Sequence, residues 1–216
     1  MKAFYVLLLV TYLGWISWYG GSGSPVQTAE LEGYISALQA NADPRGKDSV
    51  EPIKYMRTLA ESDDGAEFIM VNLIRYRDRA MYSADSPWSK ETDPMLADAR
   101  YGAGVVPLLL KRGSLPVFIS SVNGGFINET THGEWDMVAM VRYRSVRDML
   151  QMMVEISSTD LAEHKWAAIE QTHVFPVTPK ISLISLRLII GIILLLFATA
   201  VRYLVNLRKR KNSQVD

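Results

Sequence analysis

Apolar residues along this chain recur at two spacings, with one mostly apolar block near each end. The carboxy-terminal block, Ile181 to Leu204, is twenty-four residues long and carries two charges, Arg187 and Arg202. About 20 mostly apolar residues cross ~30 Å of hydrocarbon as a helix. Both arginines lie near the edges, where long side chains can reach headgroups. The block predicts a transmembrane helix. The first block runs without a charge from Ala3 to Tyr19, after Lys2. Two readings stand for residues 1–20: a membrane anchor, or a cleaved signal peptide with a basic start and small residues at its exit. Trp15, Trp18 and Tyr19 resemble an interfacial aromatic belt and favour the anchor.

Between the blocks the spacing alternates between helical and extended. Thr28 to Asn41 predicts a helix with Leu31, Tyr34, Ile35 and Leu38 on one stripe and Thr28 as its cap. Val50 to Ala60 predicts a second. Phe68 to Tyr76, FIMVNLIRY, predicts a central strand, apolar on both faces apart from Asn72 and Arg75. Residues 77–92 form a polar loop around Ser86-Pro87-Trp88. Met95 to Lys111 predicts a helix that Pro107 should kink or divide. Strands are predicted over Leu115 to Val122 and Trp135 to Arg144, and Asn123-Gly124-Gly125 after the first is a turn or bulge signal. Ser145 and Asp148 outline a capping box for the next helix. Ser157 and Asp160 repeat that signal for a helix over Thr159 to Gln171, and His173 to Val177 closes as a strand.

From Phe68 onward the order is strand, helix, strand, strand, helix, strand, which is the split βαβ arrangement of ferredoxin-like α+β domains. Helices cover one sheet face, so the other needs a cover, and a second copy of the chain supplies one in a homodimer. The predicted organisation is an N-terminal segment 1–20, a helical lead-in 26–66, an α+β domain 67–179, a membrane helix 181–204 and a basic tail 205–216.

Charge sets the topology. Arg202, Arg208, Lys209, Arg210 and Lys211 crowd the carboxy terminus, and Lys2 marks the amino terminus. By the positive-inside rule both ends face the cytoplasm and the central domain faces the periplasm or the cell exterior. Between Ser24 and Thr178 there are 15 basic and 22 acidic residues, a balance of −7. An acidic field of this kind argues against nucleic acid as a partner. The absence of cysteine removes disulfides, thiol catalysis and thiolate metal sites.

Several segments resemble a known family. Val71-Asn72-Leu73-Ile74-Arg75-Tyr76-Arg77, Tyr101 to Gly113, Trp135-Asp136, Val141-Arg142-Tyr143-Arg144-Ser145, Ala162-Glu163-His164-Lys165 and Gln171-Thr172-His173 are similar to a family of unknown function within the dimeric α/β-barrel superfamily. The resemblance spans roughly Glu51 to Pro179. It implies a ferredoxin-like fold, a dimer and a pocket between sheet and helices. Superfamily relatives range over cofactor-free monooxygenases, isomerases and haem-handling enzymes, so no single reaction follows. This chain departs from the soluble pattern in its two apolar ends, and in Lys165-Trp166 where an arginine-containing stretch is expected.

The candidate chemistry is sparse. Asn72, Asp136 and Arg142 are expected to converge on one sheet face, with Arg75 at opposite parity. A buried arginine with an asparagine could hold a carboxylate or enolate oxygen; the plainer alternative is a structural Arg–Asp pair and a satisfied amide. His164 is a candidate general base, or a packing histidine. Tyr101 and Trp135 join Asn72, Arg75 and Asp136 as candidate pocket residues. His132, His164 and His173 with Glu134 and Glu163 lack close metal-ligand spacing, so no metal and no cofactor are expected. Met149, Met152 and Met153 suit core packing better than metal ligation. Asn128-Glu129-Thr130 fits a glycosylation sequon. The sequence points to a binding or accessory module, dimeric, in the lipid bilayer, with a larger membrane complex as a further candidate partner. The alternative is a cofactor-independent enzyme, monooxygenase- or isomerase-like, in which Asn72, Arg142 and His164 act on a small lipophilic substrate.

Overall fold

The computed structural model describes residues 2–20, 24–41, 50–125, 134–180 and 186–212. In chain order the elements are α1 (Lys2–Tyr19), α2 (Thr28–Ala40), α3 (Val50–Glu61), β1 (Phe68–Tyr76), α4 (Pro94–Lys111), β2 (Leu115–Ser121), β3 (Met137–Tyr143), α5 (Val146–Ser157), α6 (Leu161–Ala168), β4 (Ile169–Val177) and α7 (Leu186–Asn212). They form two units, one of residues 20–179 and one that joins residues 1–19 to 180–216.

In the second of these units α1 and α7 lie antiparallel. Phe4 meets Phe197 with ring centroids 5.8 Å apart. Tyr12 lies against Gly191, where an added Cβ would stand 3.4 Å from the phenol oxygen. The missing side chain lets the helices approach closely. Among the described helices one stretch, Leu188–Arg208 within α7, is long and apolar enough to cross a membrane. The helix expected at the amino terminus forms as α1, but it is not among the stretches long and apolar enough to cross a membrane. Residues 181–185, which begin the predicted span, lie outside the described residues, as do His132 and the Asn128 sequon.

The domain of residues 20–179 is α+β. Its four strands pair antiparallel throughout in the order β2-β3-β1-β4, with helices on one face, and this fits the ferredoxin-like pattern loosely. Local chemistry explains most boundaries. Asp93 caps α4, its carboxylate accepting from the Met95 and Leu96 amides, and Pro94 at the first turn has no N–H to satisfy. Gly113 follows α4 at φ 64, a left-handed turn that suits glycine. The α5 capping box forms as predicted: Ser145 Oγ accepts from the Asp148 amide at 3.1 Å and donates to the Asp148 carboxylate at 2.6 Å.

Four expectations need correction. Thr28 is the first helical residue of α2, not its cap; Gln27 stands at the cap position without a side-chain bond. α4 is one helix through Pro107 rather than two pieces, with Pro107 on its exposed side. The predicted helix over Thr159 to Gln171 ends at Ala168, because Ile169 pairs with Tyr76 and the chain continues as β4. β3 starts at Met137 rather than Trp135. Asp136 instead clasps β1, its amide donating to Ile74 O and its carboxylate accepting from the Tyr76 amide at 2.7 Å.

Register decides which side chains share a face. Asn72 pairs with Ala139 and Ile69 with Arg142. Directly opposed residues point to the same face and successive residues alternate. Phe68, Met70, Asn72 and Ile74 therefore face the helices with Val141 and Tyr143. Ile69, Val71, Leu73 and Arg75 share the opposite face with Val138, Met140 and Arg142. The expected convergence of Asn72, Asp136 and Arg142 on one face does not form.

The core lies on the helix side. Val26, Leu31 and Ile35, with Met56, pack against Phe68, Val146, Met149 and Leu150. A second cluster joins Ile74 and Ala97 to Ala167, Ala168 and Ile169, and a third joins Val105 and Leu109 to Met152. The methionines of α5 thus serve packing, with Met149 and Met152 buried.

An ion pair ties α2 to α5. Arg147 Nε reaches Glu30 Oε1 at 2.7 Å, and its other nitrogens donate to the Ser24 and Pro25 carbonyls. The hydrogen bond from Arg147 holds the Glu30 carboxyl below its ordinary pKa of 4.5, against the opposing effect of burial. A depressed carboxylate contributes stability above its unfolded pKa and loses it as pH falls through the folded value. Acidification from pH 7 to pH 3 is therefore expected to lower the thermal midpoint. Glu30→Gln should show part of that loss already at pH 7 and fall less on acidification. Circular-dichroism melts at the two pH values check this, and equal pH responses in the variant and the parent would refute it.

Candidate functional site

The loop of residues 77–93 folds back over α6. The Arg77 amide donates to Ala168 O and the Met81 amide to Ala167 O, each at 2.9 Å, and Ala80 N bonds Thr92 O. These bonds hold Tyr82 against His164, with Oη 2.8 Å from Nδ1. His164 is 4 % exposed. Its ring lies edge-on to Tyr82 and Trp88, with centroids 5.6 and 5.4 Å away. The guanidinium of Arg100, on α4, sits 4.3 Å over the Trp88 ring and pairs with Glu91 at 3.0 Å. Ser83 Oγ donates to Glu163 Oε1 at 3.2 Å. His164 Nε2 is 4.0 Å from Asp160 Oδ2, too far for a hydrogen bond.

An open groove of about 590 Å³ passes Tyr82, bordered also by Arg77, Arg79, Met81, Glu91 and Glu170. Burial pushes the Tyr82 phenol above its ordinary pKa, and a hydrogen bond with Arg100 partly offsets this. Tyr82 is thus a neutral hydroxyl at physiological pH. It is the member of the Tyr–His pair that lines the groove, and its hydroxyl is held by the 2.8 Å hydrogen bond with His164 Nδ1.

Of the residues singled out in the sequence, His164 belongs to this site. Arg75 approaches it through its ion pair with Glu170 at 3.1 Å. The others lie outside it. The Asn72 amide donates to Met70 O and Ala139 O at 3.2 and 3.3 Å. Arg142, on the opposite face, pairs with the Glu67 carboxylate and donates to Gly113 O at 2.6 Å. Tyr101 packs beside Val105 and Leu109, with the Lys165 ammonium 5.6 Å from its ring centroid. Trp135 is half-buried ahead of β3, and Asp136 clasps β1 as described. Exposed His173 contacts Phe175 on β4. Among the described residues no three His, Asp or Glu side chains gather as metal ligands. Sequence reasoning missed Tyr82, Trp88, Glu91 and Arg100. The signal available was the length of the loop, since long connections without regular structure are commonly functional.

No protein-family model and no curated protein matches the chain. Among solved structures it is similar to the crystal structure of the RPA0582 protein of unknown function from Rhodopseudomonas palustris, at 25 % identity and a TM-score of 0.53, over 63 % of this chain and 97 % of that one. The crystal structure of methylated RPA0582 gives 26 % identity and a TM-score of 0.52, over 62 % and 93 % of the two chains. The chain thus resembles nearly the whole of a protein of unknown function and shares with it an α+β architecture built on an antiparallel sheet.

Proposed function

We propose that this chain is a membrane-anchored binding or accessory module. In this reading α7 crosses the bilayer, with α1 as a second, uncleaved span beside it and the basic tail in the cytoplasm. A ferredoxin-like domain of the dimeric α/β-barrel type then faces the periplasm or the exterior. The antiparallel contacts of Phe4 with Phe197 and Tyr12 with Gly191 support a hairpin with both ends on one side.

The observation that carries the reading is the sheet face opposite the helices. Ile69, Leu73, Val138 and Met140 lie there half-buried around Val71, with Phe175 opposite Val71 and Phe118 opposite Met140. Phe118 is 46 % exposed. Val71 is buried yet belongs to none of the three described helix-side clusters. A contiguous apolar face of this kind marks an interaction surface. A second copy meets it face to face, and the pair then stands beside a larger membrane complex. Native mass spectrometry of the full chain, extracted gently from its own membrane, tests this. The expected species is a dimer retaining residues 1–20, with further subunits attached. A bare monomer would overturn the reading, and a mass lacking residues 1–20 would remove α1 from it.

A further inference from the structure

The groove beside Tyr82 has its own charge balance. Three carboxylates border it, and two are already neutralised: Glu91 by Arg100 at 3.0 Å and Glu170 by Arg75 at 3.1 Å. Arg77 and Arg79 then stand against Asp78 alone, two positive charges to one negative. Among the described residues neither arginine has an ion-pair partner. Arg79 is exposed, and the Arg77 guanidinium makes long contacts, 3.4 Å to Trp166 O and 3.4 Å to the Met81 sulfur. This local surplus of one positive charge sits in a domain whose overall balance is −7. Its extent suits a single negative charge; a phosphate dianion would exceed it and meet Asp78 as well.

The remaining lining narrows the ligand further. Ala80 and Met81 offer a short apolar wall, and Tyr82 offers a hydroxyl held in place by His164. Arginine recognises carboxylates through paired N–H donors. We propose that this groove binds a small monocarboxylate with a short apolar stem. Its carboxylate lies between Arg77 and Arg79, its stem follows Ala80 and Met81, and the Tyr82 hydroxyl donates to one of its oxygens. His164 is a positioning residue that orients Tyr82. This assignment names a ligand class for the binding-module reading and rests on it.

The test is calorimetric titration of the full chain in detergent micelles with butyrate, and with butanamide as its uncharged isostere. Butyrate is expected to bind at least about tenfold more tightly than butanamide, the effect of one charge-assisted hydrogen bond. Arg79→Ala should weaken butyrate about tenfold or more, and Tyr82→Phe severalfold. Arg79 is exposed, so its variant should melt as the parent does. Equal affinity for butyrate and butanamide, or an Arg79→Ala variant that binds butyrate unchanged, overturns the assignment. The two readings fail separately. Butyrate binding by a bare monomer would remove the accessory role and keep the groove. A dimer with partner subunits that ignores butyrate would remove the groove alone.

Discussion

Leu150→Ala is expected to lower folding stability by about 3–4 kcal/mol, within the usual range for emptying a buried leucine site. Leu150 has no exposed surface. It packs in one cluster with Leu31 and Ile35 of α2, Met56 of α3 and Phe68 of β1. Walls drawn from three separate elements cannot all close on the space left by the side chain, so the cavity cost adds to the lost transfer free energy. In a chain of this size the loss should lower the thermal midpoint by about 10 °C. Leu150→Met keeps the volume and should cost less than about 1.5 kcal/mol. Melts of the two variants check this, and a Leu150→Ala midpoint close to the parent's would mean that the cluster is not packed as described.

Arg142→Ala is expected to cost about 2–3 kcal/mol of stability while leaving the groove's affinity for butyrate unchanged in the folded protein. The Arg142 side chain is buried and joins the Glu67 carboxylate to the Gly113 carbonyl. Removing it leaves that carbonyl without its donor. Glu67 is 39 % exposed and can turn to water, which keeps the cost below that of stranding a fully buried charge. Arg142→Lys should not restore the loss, because an ammonium cannot span a carboxylate and a carbonyl as a guanidinium fork does. A midpoint equal to the parent's, or a butyrate affinity that falls with the substitution, would reject a purely structural role for this arginine.

The contrast between Arg142 and His164 shows how far a site can be read from a chain. Arg142 ends an apolar strand and His164 lies between Glu163 and Lys165, and neither local pattern says whether the residue joins a site or serves the fold. Arg142 is spent on the start of β1 and the turn after α4. His164 ends beside Tyr82 because the loop of residues 77–93 hydrogen-bonds back to Ala167 and Ala168. Contacts at a separation of 82 residues leave no periodic trace.

What the sequence by itself determined is the local part. FIMVNLIRY marks β1 to the residue, Ser145 with Asp148 marks the start of α5, and the apolar block marks α7. Each depends on side-chain spacing or on a bond within one turn, and both are written in consecutive residues. Only the tertiary structure decided the rest. Strand parity correctly sorts the residues of β1 among themselves, and likewise those of β3. It cannot say which parity of one strand faces which parity of the other. The pairing of Asn72 with Ala139 sets even positions of β1 against odd positions of β3, and so places Asn72 and Arg142 on opposite faces. A shift of one residue would have joined them. The end of α6 was settled in the same way. Residues 169–171 suit a helix by pattern, but the backbone bonds that Ile169 and its successors make with β1 are available only once the sheet exists.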